Sequence, residues 1–452
     1  MLDNHRRYGN SGLVQLIGLV GYDRLFVRAE GVRVWDEEGT EYLDFLGGYG
    51  ALNLGHNHPR VLAAWDKVAQ WPNLLQATVS PITSALLRDL ALLAPGDLQH
   101  SFLCNSGAEA VEGALKLARL ATGHQRILYC QGGFHGKTMG ALSVTGRPAY
   151  QRPFAPLVPL CEAVPFGEVQ ALEQALAQGE PAAAFIVEPI QGEGGVVIPP
   201  TGYLAQAREL CHRYGALLIV DEIQTGFGRT GTMFACEAEQ VVPDVLCLSK
   251  SLGGGVVPIG AFMTTERLWN QAFGGIERCR IHTSTFGGNT RAAASALAAL
   301  EAIVEEDLPT QAREKGEYFL GRLQELAREF PLIREVRGRG LLIGIEFVSD
   351  TGIFGKVSGG AANHLAQEYL ASLVAAELLQ HHHVITAYTL NNPNVIRLEP
   401  PLVVSREELD RVVEALRQTL SRHKGMAGFA LSAAGQAVGR WAKQATQSLW
   451  KK

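Results

Sequence analysis

A lysine that closes an apolar strand invites a chemical explanation. Lys250 does so in Val245-Leu246-Cys247-Leu248-Ser249-Lys250, just before Ser251-Leu252 and the run Gly253-Gly254-Gly255. Lysines rarely point into interiors. Where one does, desolvation and nearby positive charge lower the amine pKa, as a lysine that condenses with a carbonyl requires. A second segment, Leu217-Leu218-Ile219-Val220-Asp221-Glu222-Ile223-Gln224, ends a buried strand on a carboxylate. In open α/β sheets that edge is where ligands bind. Asp221 must be paired or solvated there, and a protonated pyridine nitrogen, kept cationic as an electron sink, would suit it. The competing readings are a surface lysine at a strand end for Lys250, and a helix cap or metal ligand for Asp221. No His or Cys has the spacing to complete a metal shell, so no metal is expected.

A third segment, Leu103-Cys104-Asn105-Ser106-Gly107-Ala108-Glu109, passes from a short strand into a strongly helical pattern. Ser106 and Glu109 match the S-x-x-E capping box. A helix start after a glycine presents free N–H groups and the positive end of the dipole, which is how proteins hold phosphate; a plain cap is the alternative. Gly226 to Gly231, GFGRTG, fits G-x-G-x-x-G. The preceding strand ends five residues earlier, and no periodic helix follows, so a dinucleotide site is rejected. Glycine pairs and runs at 47–48, 132–133, 192–195, 226–231, 253–255 and 287–288 suggest either loops converging on one site or ordinary turns.

These residues need a frame. From about residue 66 to 310, apolar runs (Ser101 to Cys104, Arg126 to Cys130, Ala184 to Val187, Leu217 to Asp221, Val245 to Leu248, Gly260 to Thr264) alternate with helical patterns (Ala108 to Thr122, Val169 to Ala177, Tyr203 to Tyr214, Arg291 to Glu305). Such alternation predicts an α/β fold, a mainly parallel sheet with helices on both faces. Residues 1–65 carry a β-meander that is expected to pack with a smaller α+β unit, 311–424. That unit has a long helix from Gln311, a strand from Leu341 to Phe347, a helix near 365–380 and a last helix from Arg406 to Arg422. The tail, 425–452, reads as a weakly ordered extension in preference to an amphipathic surface helix.

Composition narrows the class. A chain of 452 residues, 47% hydrophobic and 19% charged, suits a soluble globular enzyme with a large core. The net charge of -5 gives no reason to expect nucleic acid or anionic membrane as a partner. Seven scattered cysteines and an N-terminus without an apolar signal predict a cytoplasmic location.

Taken together, LIVDEIQTGFGRTG and LSKSLGGG resemble the class III (ornithine-type) aminotransferases of pyridoxal-phosphate fold type I. Further blocks follow the family's order: FLGGYGALNLGHNHP, CNSGAEAVEGALKLAR, GGFHGKT, VEPIQGEGG, HTSTFGGN, VRGRGLL and VIRLEPPL, over about residues 20 to 420. FGEV after Val164-Pro165, the FACE segment, CLSKSLGGGVVPIGA and TLNNPNVIRLEPPL look closest to the diamine (putrescine-type) members.

The resemblance implies a large domain with a seven-stranded sheet, a smaller domain, and pyridoxal 5'-phosphate held on Lys250 as a Schiff base. It further implies that Asp221 pairs with the ring nitrogen, Gln224 bonds the phenolic oxygen, and Phe134 lies on the ring with His135 beside it. Ser106, Gly107 and Ala108 would hold the phosphate, and Glu188 would orient the Asp221 region. Thr285 would reach the phosphate of the neighbouring subunit, making a homodimer the active unit. By the same resemblance Arg397 clamps the α-carboxylate of glutamate or 2-oxoglutarate, and Glu193 pairs with Arg397 when an ω-amine occupies the site. Tyr49 and Gln76 would touch the amine at the entrance. The chain departs from the pattern at Thr290, where the family usually has proline. The expected reaction is transfer of an amino group from a terminal amine, such as putrescine or cadaverine, to 2-oxoglutarate by a ping-pong route. An ornithine- or acetylornithine-type enzyme, a tailoring aminotransferase and a catalytically silent scaffold are the alternatives.

Overall fold

Strands buried on both faces read as continuous apolar runs, and those runs assemble here into one sheet. The computed structural model describes residues 1–75, 78–348 and 361–422. Its central sheet has seven strands in the order His100–Cys104, Gly260–Thr264, Val245–Leu248, Leu217–Asp221, Ala182–Val187, Arg126–Cys130, Cys161–Val164. Neighbours from Val245–Leu248 to Cys161–Val164 are parallel. Gly260–Thr264 runs antiparallel to the strands on either side of it. Successive side chains point to opposite faces. Leu218 and Val220 join one apolar layer with Leu204, Ala207 and Cys211 of helix Tyr203–Tyr214. Ile219 joins the other with Ala110, Val111 and Ala114 of helix Gly107–Thr122. The predicted α/β class is thereby observed.

The six sequence-predicted strands all form, and the seventh, Cys161–Val164, was not singled out beforehand. It is an edge strand with Glu162 and Ala163 exposed, so it carries no apolar run to betray it. Helix Pro81–Leu93 was also not anticipated; Ser80 caps it by accepting from Thr83 N, and Pro81 stands at its first position.

Helix Leu308–Glu329 leads into an antiparallel sheet of four strands, ordered Ile333–Arg339, Leu342–Phe347, Val395–Leu398, Ala387–Tyr388. The N-terminal strands Phe26–Glu30, Arg33–Asp36 and Glu41–Asp44 form the meander, and Val384–Ile385 adds to it in parallel beside Glu41–Asp44. One apolar cluster continues from Val187, Val220 and Leu248 through Phe45, Phe319, Phe347 and Leu398. The turn at 47–50 and Glu399 thus meet Gln224, just past the end of strand Leu217–Asp221. Among the described residues, no helix is long and apolar enough to cross a membrane. The tail from residue 425 and the predicted contact Gln76 lie outside the described residues.

Candidate active site

Five central strands deliver their chemistry at the same edge. Ser106 follows His100–Cys104, His135 follows Arg126–Cys130, and Glu188 follows Ala182–Val187. Asp221 ends Leu217–Asp221, and Lys250 comes two residues after Val245–Leu248. Asp221 pairs in register with Cys247, so Lys250 emerges at the same sheet edge, where the Asp221 charge acts on its amine. Lys250 itself has φ +44, a conformation that a side-chain-bearing residue adopts only under constraint. Burial of its amine lowers the ammonium pKa. The carboxylates of Glu399, Glu193 and Asp221 oppose this shift, and Arg397 reinforces it.

Asp221 is buried. Its Oδ2 lies 2.7 Å from His135 Nδ1, and its Oδ1 accepts from Ile223 N at 3.0 Å. Burial pulls the His135 imidazole pKa down, but the hydrogen bond and charge of Asp221, with the charge of Glu188, outweigh that and leave it raised. Glu188 is pushed up to about 7 by burial, against the stabilising His135 charge. Its carboxylate accepts from Phe134 N at 2.8 Å and Gly192 N at 3.2 Å. The three side chains therefore form one buried, electrostatically linked group, fixed to the backbone at Phe134, Gly192 and Ile223. The Phe134 ring is half-buried beside it.

At the start of helix Gly107–Thr122, Ser106 Oγ accepts from Glu109 N at 3.2 Å. The expected box is only half formed, because the Glu109 carboxylate goes to Asn105 N at 2.5 Å and not to Ser106 N. Gly107 allows this helix end to approach the Asp221 segment; a Cβ there would lie 2.7 Å from Ile223 Cδ1.

A second cluster assembles above this floor. Arg397, fully buried on the antiparallel strand Val395–Leu398, has Nη1 2.6 Å from Glu193 Oε1 and Nε 3.2 Å from Glu399 Oε2. Its Nη2 is buried without a hydrogen-bond partner. The Tyr49 ring covers the guanidinium at 5.1 Å, projecting from a turn in which Gly47, Gly48, Tyr49 and Gly50 all have positive φ. Burial would raise the Glu193 carboxyl, but the Arg397 charge and hydrogen bond outweigh it and hold it below the ordinary glutamate value. Gln224, assigned to the ring oxygen by resemblance, gives its side-chain N–H groups to Glu399 at 2.9 and 3.1 Å. A Cβ at Gly192 would overlap the Gln224 amide oxygen, so only glycine lets the 192–195 turn pass so close.

Glu399 and Arg229 were not foreseen as members of this cluster. Arg229 lies inside the G-x-G-x-x-G segment, where its Nη1 donates to Leu341 O and Pro400 O and its Nη2 to Asn53 Oδ1, at 3.0, 2.5 and 2.6 Å. Its Nε is 3.9 Å from Glu399 Oε1. The segment works as a buried arginine anchor between chain regions. Of the glycine runs, 47–50, 132–133 and 192–195 meet around Gln191, Gln224 and Glu399, whereas Gly228 and Gly231 pack on Leu402 and Arg313, and Gly288 on Leu103. Thr285 is exposed in the single chain, and its neighbour Ser284 accepts from Asn105 Nδ2 at 3.0 Å. Thr290 begins helix Thr290–Glu305, with its N–H on Asn73 O at 3.2 Å and its hydroxyl on Pro72 O at 2.7 Å.

A desolvated amine, a buried carboxylate facing it, and an approachable helix start suit an aldehyde that carries a basic ring nitrogen and a phosphate. The fold and this donor set define a pyridoxal-phosphate transferase of fold type I. The chain belongs to the Aminotransferase class-III family, whose model matches residues 20–420; it is accordingly a pyridoxal-phosphate-dependent aminotransferase. The ornithine aminotransferase of Toxoplasma gondii is 36% identical, with 88% of this chain and 90% of that chain covered and a TM-score of 0.78. An amine transaminase from an uncultivated Pseudomonas species, solved in its pyridoxal-phosphate-bound form, is 31% identical over 88% of this chain and 95% of that one, with a TM-score of 0.79. The acetylornithine aminotransferase of Elizabethkingia anophelis is 32% identical over 91% and 99%, at 0.73.

Proposed function

We propose that the chain moves an amino group from a terminal amine, such as putrescine or cadaverine, to 2-oxoglutarate, the two substrates using one site in turn, in a cytoplasmic homodimer. The observation that carries this reading is the closed pair Arg397–Glu193 at 2.6 Å. An arginine fork matches the α-carboxylate of the oxo acid. When the donor has no carboxylate there, an unpaired buried guanidinium would be costly, and Glu193 covers it.

The bound cofactor would supply an electron sink for the charge that develops on the substrate carbon. Lys250 would hold the cofactor and, once free, would carry a proton between that carbon and the cofactor C4′. Its lowered pKa supports this role, since a neutral amine is needed to accept the proton. Asp221, held by His135 through the 2.7 Å hydrogen bond, would face the ring nitrogen. Ser106, Gly107 and Ala108 would hold the phosphate, and Thr285 would reach that of the partner subunit. Phe134 would lie on the ring, Gln224 would turn from Glu399 to bond its phenolic oxygen, and Glu188 would orient the Asp221–His135 pair. Tyr49 would line the amine entrance.

Likeness to ornithine and acetylornithine aminotransferases supports a sibling reading in which the donor is an α-amino acid with a terminal amine. A donor panel separates them: putrescine, cadaverine, ornithine, acetylornithine, 4-aminobutyrate and long-chain amines, each against 2-oxoglutarate. Diamines should give the highest kcat/KM. Ornithine ahead of putrescine by a wide margin would replace the diamine reading with its sibling.

A further inference from the structure

The Arg397–Glu193 pair accounts for one positive and one negative charge, but the buried cluster contains two of each. Arg229 and Arg397 are fully buried, as is Glu399, and Glu193 is nearly so. Glu399 lies between the two guanidiniums, 3.2 Å from Arg397 Nε and 3.9 Å from Arg229 Nε. Uncompensated charge in such a place is strongly disfavoured, so neutrality of the four is a condition of their burial.

The two carboxylates are not held alike. Glu399 follows the strand Val395–Leu398, its backbone N–H bonds Phe45 O at 2.8 Å, and both carboxylate oxygens accept from Gln224 Nε2. Glu193 rises from a glycine-rich turn. Apart from Arg397, its carboxylate accepts from Leu390 N at 2.8 Å. The guanidinium is likewise divided. Its Nε faces Glu399 as an ion pair without hydrogen-bond geometry, Nη1 is taken by Glu193, and Nη2 has no hydrogen-bond partner. An incoming carboxylate that displaces Glu193 would find the Nη1–Nη2 edge ready while Glu399 stayed in place.

We propose that Glu399 is a specificity-determining positioning residue: the stationary carboxylate of a neutral four-charge cluster, against which Glu193 and a substrate carboxylate exchange one for one on Arg397. Without its charge, the site with Glu193 in place would carry an excess positive charge. It would then attract dicarboxylates more strongly and accept amine donors less well. Through Gln224, Glu399 also ties the carboxylate clamp to the floor of the site. This inference rests on the proposed amine-to-oxo-acid reaction for its meaning, but not for its test.

The test compares wild type, Glu399→Gln and Glu399→Asp as holoenzymes. Two quantities are measured: the binding of glutarate, a dicarboxylate with no reactive carbonyl, by calorimetry, and kcat/KM for putrescine and for 2-oxoglutarate. In Glu399→Gln, glutarate should bind tighter, and the putrescine-to-oxoglutarate ratio of kcat/KM should fall on the order of tenfold. Glu399→Asp keeps the charge but withdraws it, so both readouts should lie between wild type and Gln. A mere loss of fold or cofactor would depress both half-reactions together and leave their ratio unchanged. An unchanged ratio with unchanged glutarate affinity in Glu399→Gln overturns the proposal, as does an Asp variant shifted as far as Gln. If the Gln variant yields no folded protein, Asp alone decides, and glutarate affinity equal to wild type overturns it. If wild type accepts no terminal amine, the functional reading fails, and glutarate binding still decides the role of Glu399.

Discussion

The floor of the site and its upper wall solve the problem of buried charge differently. On the floor, His135 and Glu188 follow neighbouring parallel strands beside Asp221, and both have raised pKa values, so that their charges adjust by titration. On the wall, Arg397, Arg229, Glu193 and Glu399 come from distant parts of the chain and balance by pairing, since guanidiniums do not give up protons in a working enzyme. The floor can therefore follow protonation changes in a bound ring, whereas the wall can follow only the arrival or departure of a charged ligand. A transaminase that handles two unlike substrates needs both properties.

The sharpest way to break this division is at its junction. Lys250→Ala removes an amine that faces both clusters, and turnover of every amine donor should fall by roughly four orders of magnitude while some cofactor stays bound. Steady-state rates and the visible absorbance of the purified protein check this; residual turnover within about tenfold of wild type would end the assignment. Next in size, Arg397→Lys keeps the wall's charge but loses the planar fork. The half-reaction with 2-oxoglutarate should slow by about ten- to a hundredfold, and the amine half by much less. Equal losses in stopped-flow half-reactions would mean that the wall does not distinguish the substrates.

The same division explains what could be read beforehand. Lys250, Asp221 and Ser106 announce themselves locally, each a polar residue placed where an apolar run stops. The sheet was legible for the same reason, apart from its exposed edge strand at Cys161–Val164. The wall has no such local signature. Glu193 and Arg397 are 204 positions apart, and only resemblance brought them together before the geometry did. Arg229 was hidden in a glycine pattern that suggested, and failed, a nucleotide motif. Glu399 could have been found, since Val395-Ile396-Arg397-Leu398-Glu399 ends an apolar strand on a carboxylate just as the Asp221 segment does.

If the floor adjusts by titration, stability should reveal it. Glu188 has a folded pKa of about 7 against an ordinary 4.5, so the folded state holds a proton that the unfolded chain has already released. The resulting stabilisation is complete below the unfolded value and is lost as pH rises through about 7. His135, also raised, contributes with the same sign, present at low pH and lost through its own folded pKa. Glu188→Gln should remove the Glu188 part, flattening the decline in stability across that window by up to about 3 kcal/mol. Urea midpoints measured at a series of pH values would show it, and a slope identical to wild type would place the proton elsewhere.

The smallest expected effect lies outside both clusters and asks whether the family's usual proline at position 290 was structurally replaced or merely lost. Proline is well suited to a first helical position because the N–H it lacks has no partner in the helix anyway. Here that N–H is used, bonding Asn73 O at 3.2 Å, and the Thr290 hydroxyl bonds Pro72 O at 2.7 Å. Asn289, capping the same helix through Ala292 N at 3.0 Å, would remain in either case. Thr290→Pro gains some rigidity in the unfolded chain but leaves two carbonyls of the 72–73 segment without these donors. The losses should outweigh the gain by about 1 kcal/mol, a fall of about one degree in Tm. Thr290→Ser keeps both donors and should stay closer to wild type. A proline variant as stable as the native chain would mean that the two hydrogen bonds contribute nothing net, and that the threonine is tolerated there without helping to hold the segment.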